Sequence, residues 1–115
     1  MPKRRGERSL ATAAVLFAAL GDETRLALVN RLSTGGPGSI SVLSESCGDI
    51  TRQAVTKHLH ALADAGLVRA RTPGGRRQRV WELQPRRLEA ARAYLERVSG
   101  EWDGALERLR AFVED

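Results

Sequence analysis

The chain has 115 residues, 42% of them hydrophobic and 29% charged. That supports one modest core and excludes a two-domain layout or a disordered chain. Its net charge of +5 and pI near 10.6 favour a polyanionic partner, while an anionic membrane or simple solubility would also fit. One cysteine excludes an intrachain disulfide and a multi-thiolate zinc site, and no apolar run approaches the roughly 20 residues of a membrane span.

The charge is uneven. Thirteen Lys/Arg stand against seven Asp/Glu up to Leu83, and six against seven after it. The opening, MPKRRGERS, is basic without an apolar signal core, so a cytoplasmic protein is expected. Residues 1–8 are read as a basic flexible tail. Ser9 to Leu20 is predicted helical, with Leu10, Ala14, Phe17 and Ala18 at helical spacing. Its alanines permit close approach of another helix, from this chain or a second copy.

Gly21 breaks that helix and Asp22 is placed to cap the next, whose buried side is Leu28, Val29 and Leu32. Arg25 is read as structural or solvent-facing. The helix should end near Ser33, before the loop Gly35-Gly36-Pro37-Gly38. A short helix is predicted from Ser39 to about Cys47, with Ile40 and Leu43 inward, followed by a Gly48-Asp49 turn plugged by Ile50.

Thr51 is a predicted N-cap for a helix running to about Asp64 and stopped by Gly66. At 100° per residue, Val55, Leu59 and Leu62 form one narrow stripe. Gln53, Lys57 and His60 lie opposite, with Thr56 beside them. A helix packed behind and polar in front can enter a DNA major groove and offer donors and acceptors to base edges. Helix, short glycine-containing turn, helix is the helix-turn-helix arrangement.

Leu67 to Thr72 places Val68 and Ala70 on one face and Arg69 and Arg71 on the other. Pro73-Gly74-Gly75 is a turn, and Arg77 to Leu83 is a predicted second strand. A hairpin after a recognition helix is a wing. Its arginines, Arg69, Arg71, Arg76, Arg77 and Arg79, suit phosphates or a narrow minor groove. The predicted DNA-contacting set is Arg52, Gln53, Thr56, Lys57, His60, Arg71, Arg76, Arg77 and Arg79.

Pro85 opens the last segment. Leu88, Leu95, Trp102 and Leu109 recur every seven residues, as do Ala91, Val98, Ala105 and Phe112. Such a seam buries only against another helix, so residues 84–115 are read as a dimerisation segment using Leu88, Leu95, Val98, Trp102, Leu109 and Phe112. Ser99-Gly100 and Gly104 leave open whether it is one helix or two.

His58 and His60, two residues apart on a helix, point about 200° apart and cannot share one ion. His58 is read as a packed structural residue, and His60 as an exposed contact to phosphate or base. Cys47 reads either as a small core hydrophobe or as a redox-sensing thiol. No nucleophile–base set, phosphate-cradling glycine loop or paired carboxylates appear, so no enzyme is expected.

The stretches Leu20 to Leu26 (LGDETRL), Thr51 to Leu59 (TRQAVTKHL), Ala65 to Val68 (AGLV) and Arg79 to Leu83 (RVWEL) together resemble the ArsR-type (arsenic-repressor-like) regulators. The resemblance covers about Phe17 to Leu83. It implies a mainly α fold with a β-hairpin wing, a winged helix-turn-helix over 9–83 that dimerises through terminal helices. It further implies a homodimeric transcription regulator, usually a repressor, on a two-fold symmetric DNA operator, with no membrane partner. Arsenic-sensing members carry cysteines where this chain has Ser39, Ser41 and Ser44, and zinc-sensing members use histidines on the last helix, where this chain has none. A hydroxyl is a poor ligand for soft ions, so no metal site and no cofactor are expected, and the effector is unknown. The alternatives are a winged-helix module for protein interaction and a thiol-responsive regulator acting through Cys47.

Overall fold

The computed structural model describes residues 5–75 and 77–114. Five helices and one hairpin follow in order: α1 (Arg5–Leu20), α2 (Glu23–Gly35), α3 (Ile40–Glu45), α4 (Arg52–Asp64), β1 (Val68–Arg71), β2 (Val80–Leu83) and α5 (Pro85–Glu114). This is the predicted winged helix-turn-helix. Helical structure begins at Arg5, four residues inside the stretch read as a tail.

Local chemistry fixes each boundary. Asp22 accepts the Arg25 backbone N–H at 3.0 Å, Ser39 accepts that of Val42 at 3.4 Å, and Thr51 accepts that of Ala54 at 3.1 Å. Each satisfies a donor that a helix start leaves unpaired. At the end of α4 the Leu67 N–H reaches back to the Leu62 carbonyl at 3.0 Å, and Gly66 adopts φ 80°, the left-handed geometry such a stop requires.

Leu28, Leu32, Leu43, Val55, Leu59, Leu62, Leu67 and Trp81 form the centre of the core. Each buried leucine contributes about 1.5–3 kcal/mol relative to exposure. The three from α4 are the predicted stripe, and all are 0% exposed. In α1 the buried side is Ala13, Leu16 and Ala19, whereas Leu10, Ala14 and Ala18 face outward. Of the four residues noted at helical spacing, Phe17 is half-buried and packs on the core. Its ring lies 5.7 Å from that of Tyr94, where α1 meets α5.

The hairpin is shorter than predicted. Its register pairs Val68 with Leu83, Arg69 with Glu82, Ala70 with Trp81 and Arg71 with Val80. Beyond that, Pro73 has no N–H to donate and Gly74 has φ 59°, so the ladder cannot continue. Arg77 and Arg79 therefore belong to the tip and not to a strand. Trp81 is 2% exposed and exchanges two backbone hydrogen bonds with Gly38, at 2.8 and 3.0 Å. The wing is thus tied to the loop that leads into α3.

The last segment is one 30-residue helix, about 45 Å long at 1.5 Å per residue. Gly100 and Gly104 do not interrupt it. No helix among the described residues is long and apolar enough to cross a membrane.

Candidate nucleic-acid interface

The interface is built on α4. With Val55, Leu59 and Leu62 buried, helical geometry forces Arg52, Gln53, Lys57 and His60 to the surface, and all four are exposed. Thr56 lies beside them, half-buried, and its hydroxyl donates to the Arg52 carbonyl at 2.8 Å. That bond uses the side chain's one donor a turn back along its own helix, leaving an acceptor oxygen and the methyl. Ile40, read as simply inward, is half-buried. It packs on the core and closes one side of an open groove with Arg52, Gln53, Thr56 and Lys57.

α4 is held at the back by a polar cluster. The Arg25 Nε donates to the Ala19 carbonyl at 2.5 Å, its Nη1 lies 3.3 Å from His58 Nδ1, and His58 Nδ1 lies 3.8 Å from Asp22. The Arg25 backbone N–H holds the Asp22 carboxyl below its ordinary range, and the His58 and Arg25 charges act in the same direction. Arg25 and His58 are thus structural, as their positions suggested. At the front, the His60 ring meets Trp81 edge-on, centroids 5.4 Å apart. His60 therefore touches both the exposed row and the base of the wing. The Trp81 Nε1 is buried with no hydrogen-bond partner among the described residues.

On the wing, Arg69 and Arg71 converge on Glu82, at 2.7 and 3.0 Å. Arg71, predicted to face DNA, is thereby partly neutralised, although half of its side chain stays exposed. Arg77 and Arg79 are fully at the surface. Arg76, the remaining predicted contact, lies outside the described residues. The hydrogen bond from Arg69 holds Glu82 below its ordinary value, and the Arg71 charge adds to this. A depressed carboxylate stabilises the fold above its unfolded value and loses that contribution as pH falls through the lower, folded one. Acidification below the ordinary glutamate value of 4.5 is therefore expected to loosen the hairpin before the helical core. Amide exchange at Arg69 and Arg71 compared with exchange at Leu59 and Leu62 measures this.

Cys47 is half-buried against the core, in a hollow with Glu23, Thr24, Ala27, Ser46 and Ile50. Burial pushes its thiol up, the direction that keeps it protonated. Among the described residues no cluster of His, Cys, Asp or Glu is arranged to hold a metal ion.

The second exposed feature is α5. Leu88 packs on the core of its own chain and Ala91 is buried there. The first turns of the predicted seam are therefore intradomain, because Pro85 turns α5 back along α1. Beyond them Leu95, Trp102, Leu109 and Phe112 are 54–80% exposed. Val98 is half-buried and shares a shallow hollow with Glu101, Trp102 and Ala105. Leu106 and Val113, absent from the heptad count, widen the stripe. Each follows a seam residue by four positions, the spacing that could have found them. Leu10 and Val15 of α1 are exposed as well.

A protein-family profile described as a helix-turn-helix domain matches residues 20–71. The chain is 41% identical over 90 residues to the HTH-type transcriptional regulator Rv2034 of Mycobacterium tuberculosis, covering 78% of each chain. An ArsR-like transcriptional regulator from Rhodococcus sp. RHA1 superposes with a TM-score of 0.73 at 34% identity, covering 90% of this chain and 93% of that one. The homodimeric winged helix-turn-helix DNA-binding domain Mb0332 of Mycobacterium bovis has the same fold, with a TM-score of 0.64 at 23% identity over 93% of each chain.

Proposed function

Because the chain belongs to the ArsR family of winged helix-turn-helix transcriptional regulators, we propose that it is a homodimeric, sequence-specific repressor that binds a two-fold symmetric DNA operator. The observation that carries this reading is the exposed row Arg52, Gln53, Lys57 and His60 on a helix whose opposite side is wholly buried. α4 enters the major groove, and Arg77 and Arg79 reach backbone or minor groove from the wing. The stripe around Trp102 pairs two copies, so their recognition helices meet half-sites about 34–36 Å apart, one helical turn, or a multiple of that. A bound dimer represses by excluding other proteins from the same DNA. The cytoplasm is its site of action.

We further propose that repression here does not depend on a bound metal. Ser39 stands where arsenic-sensing relatives of this family carry a thiolate, and its hydroxyl is engaged in capping α3.

Base contacts and phosphate contacts predict different mutant behaviour. The Gln53 amide offers one donor and one acceptor together, which suits adenine. Gln53→Ala should cost about 1–3 kcal/mol per half-site on the operator and little on scrambled duplex. Arg77→Ala should weaken both and flatten the salt slope by about 1 per lost contact. Paired titrations on the two duplexes measure this. An unchanged specificity ratio for Gln53→Ala would remove α4 as the reading element.

A further inference from the structure

We propose that Ile40 and the Thr56 methyl form a seat for a thymine methyl group, making Ile40 a specificity residue contributed from outside the recognition helix. The inference rests on the DNA-binding reading above and names which base feature the groove selects.

The groove that lies against the exposed row is lined by Ile40, Arg52, Gln53, Thr56 and Lys57. A face meant only for phosphate and base-edge hydrogen bonds would be polar throughout. Here two of the lining residues, Ile40 and Thr56, also carry apolar groups. Ile40, the first residue of α3, is half-buried, so part of its hydrocarbon remains open to the groove. Thr56 spends its one hydroxyl donor on the Arg52 carbonyl at 2.8 Å, so beyond an acceptor oxygen the group it carries to this groove is its methyl. Around them stand two exposed cations, Arg52 and Lys57, and the Gln53 amide.

That arrangement fits one occupant. The cations complement the phosphates flanking a base, the amide suits adenine, and the apolar groups of Ile40 and Thr56 suit the one apolar group of the major groove, the C5-methyl of thymine. Cytosine at the same place has only hydrogen at C5, so the apolar contact is lost, and its N4–H₂ donor stands where thymine presents the O4 acceptor. The selected half-site therefore contains a thymine beside, or paired with, the adenine that Gln53 reads.

The probe is the tightest duplex recovered by selection from a randomised pool, together with copies in which deoxyuridine replaces thymine one position at a time. Deoxyuridine removes only the methyl. Its loss from an apolar contact corresponds to about fourfold in affinity. The intact protein should lose about fourfold at one or two thymines per half-site and nothing at the rest. Thr56→Ser removes the side-chain methyl while keeping the hydroxyl bonded to the Arg52 carbonyl, and Ile40→Val trims the other wall with little risk to the core. Each should shrink that thymine–deoxyuridine difference toward one. If every thymine can be replaced without effect, or if both variants keep the full fourfold difference, the proposal is overturned while DNA binding stands. If the pool yields no enriched duplex, the DNA-binding reading itself fails, and this one with it.

Discussion

Replacing Trp81 with alanine is expected to destabilise the fold by about 3–5 kcal/mol, the usual cost of truncating a buried tryptophan. Trp81 is the largest fully buried side chain, 2% exposed. Truncation would leave a cavity where three elements meet: the wing strand, the loop at Gly38 held by two backbone hydrogen bonds, and α4 through the edge of His60. A domain has about 5–15 kcal/mol of net stability, so a loss of this size removes a large share of it. Urea unfolding followed by helical circular dichroism gives the number. The variant should also hold its wing less firmly against α4, which limited proteolysis near Arg77 would report. A loss below about 1 kcal/mol would mean that Trp81 does not anchor the wing.

Trp102→Ala is expected to act on assembly and not on the fold. In the single chain Trp102 is 64% exposed, so its truncation leaves little cavity and the helical spectrum should persist. In a two-fold pair the residue is buried twice. Interface tryptophans often contribute 2 kcal/mol or more each, so a total near 4 kcal/mol corresponds to about a thousandfold in the dimer Kd. Sedimentation of the variant at micromolar concentration should show monomer where the intact chain shows dimer. A full-strength dimer would mean that α5 pairs elsewhere or not at all.

The parts of the molecule legible in the sequence are those set by neighbours along the chain. Caps at Asp22, Ser39 and Thr51 are local chemistry, and the α4 stripe is a strong 3.6-residue period over a helix with few alternatives. Contacts set by tertiary geometry were not legible. Which face of α1 packs inward is not legible, because alanine occurs on every side of it. Trp81 alternates with arginines in sequence and gives no sign that its backbone pairs with Gly38. Ile40 looked like core because nothing in the order of residues shows that the first turn of α3 stands beside Thr56. The sequence does not show that the Thr56 hydroxyl donates to the Arg52 carbonyl, although a threonine inside a helix has a carbonyl four residues back within reach. Nothing in the order of residues shows that Glu82 pairs with both Arg69 and Arg71, which decides which wing arginines remain free for phosphate.

Salt dependence of duplex binding by the intact protein tests the central claim most directly. If each protomer places about four of its exposed cations on phosphate, a dimer neutralises about eight, and log affinity should fall against log salt with a slope near −7. Over about 50 to 200 mM salt that is a loss of roughly ten-thousandfold, with two chains bound per duplex throughout. An affinity flat in salt, or saturation at one chain per duplex, would contradict a dimer that grips DNA through α4 and its wing.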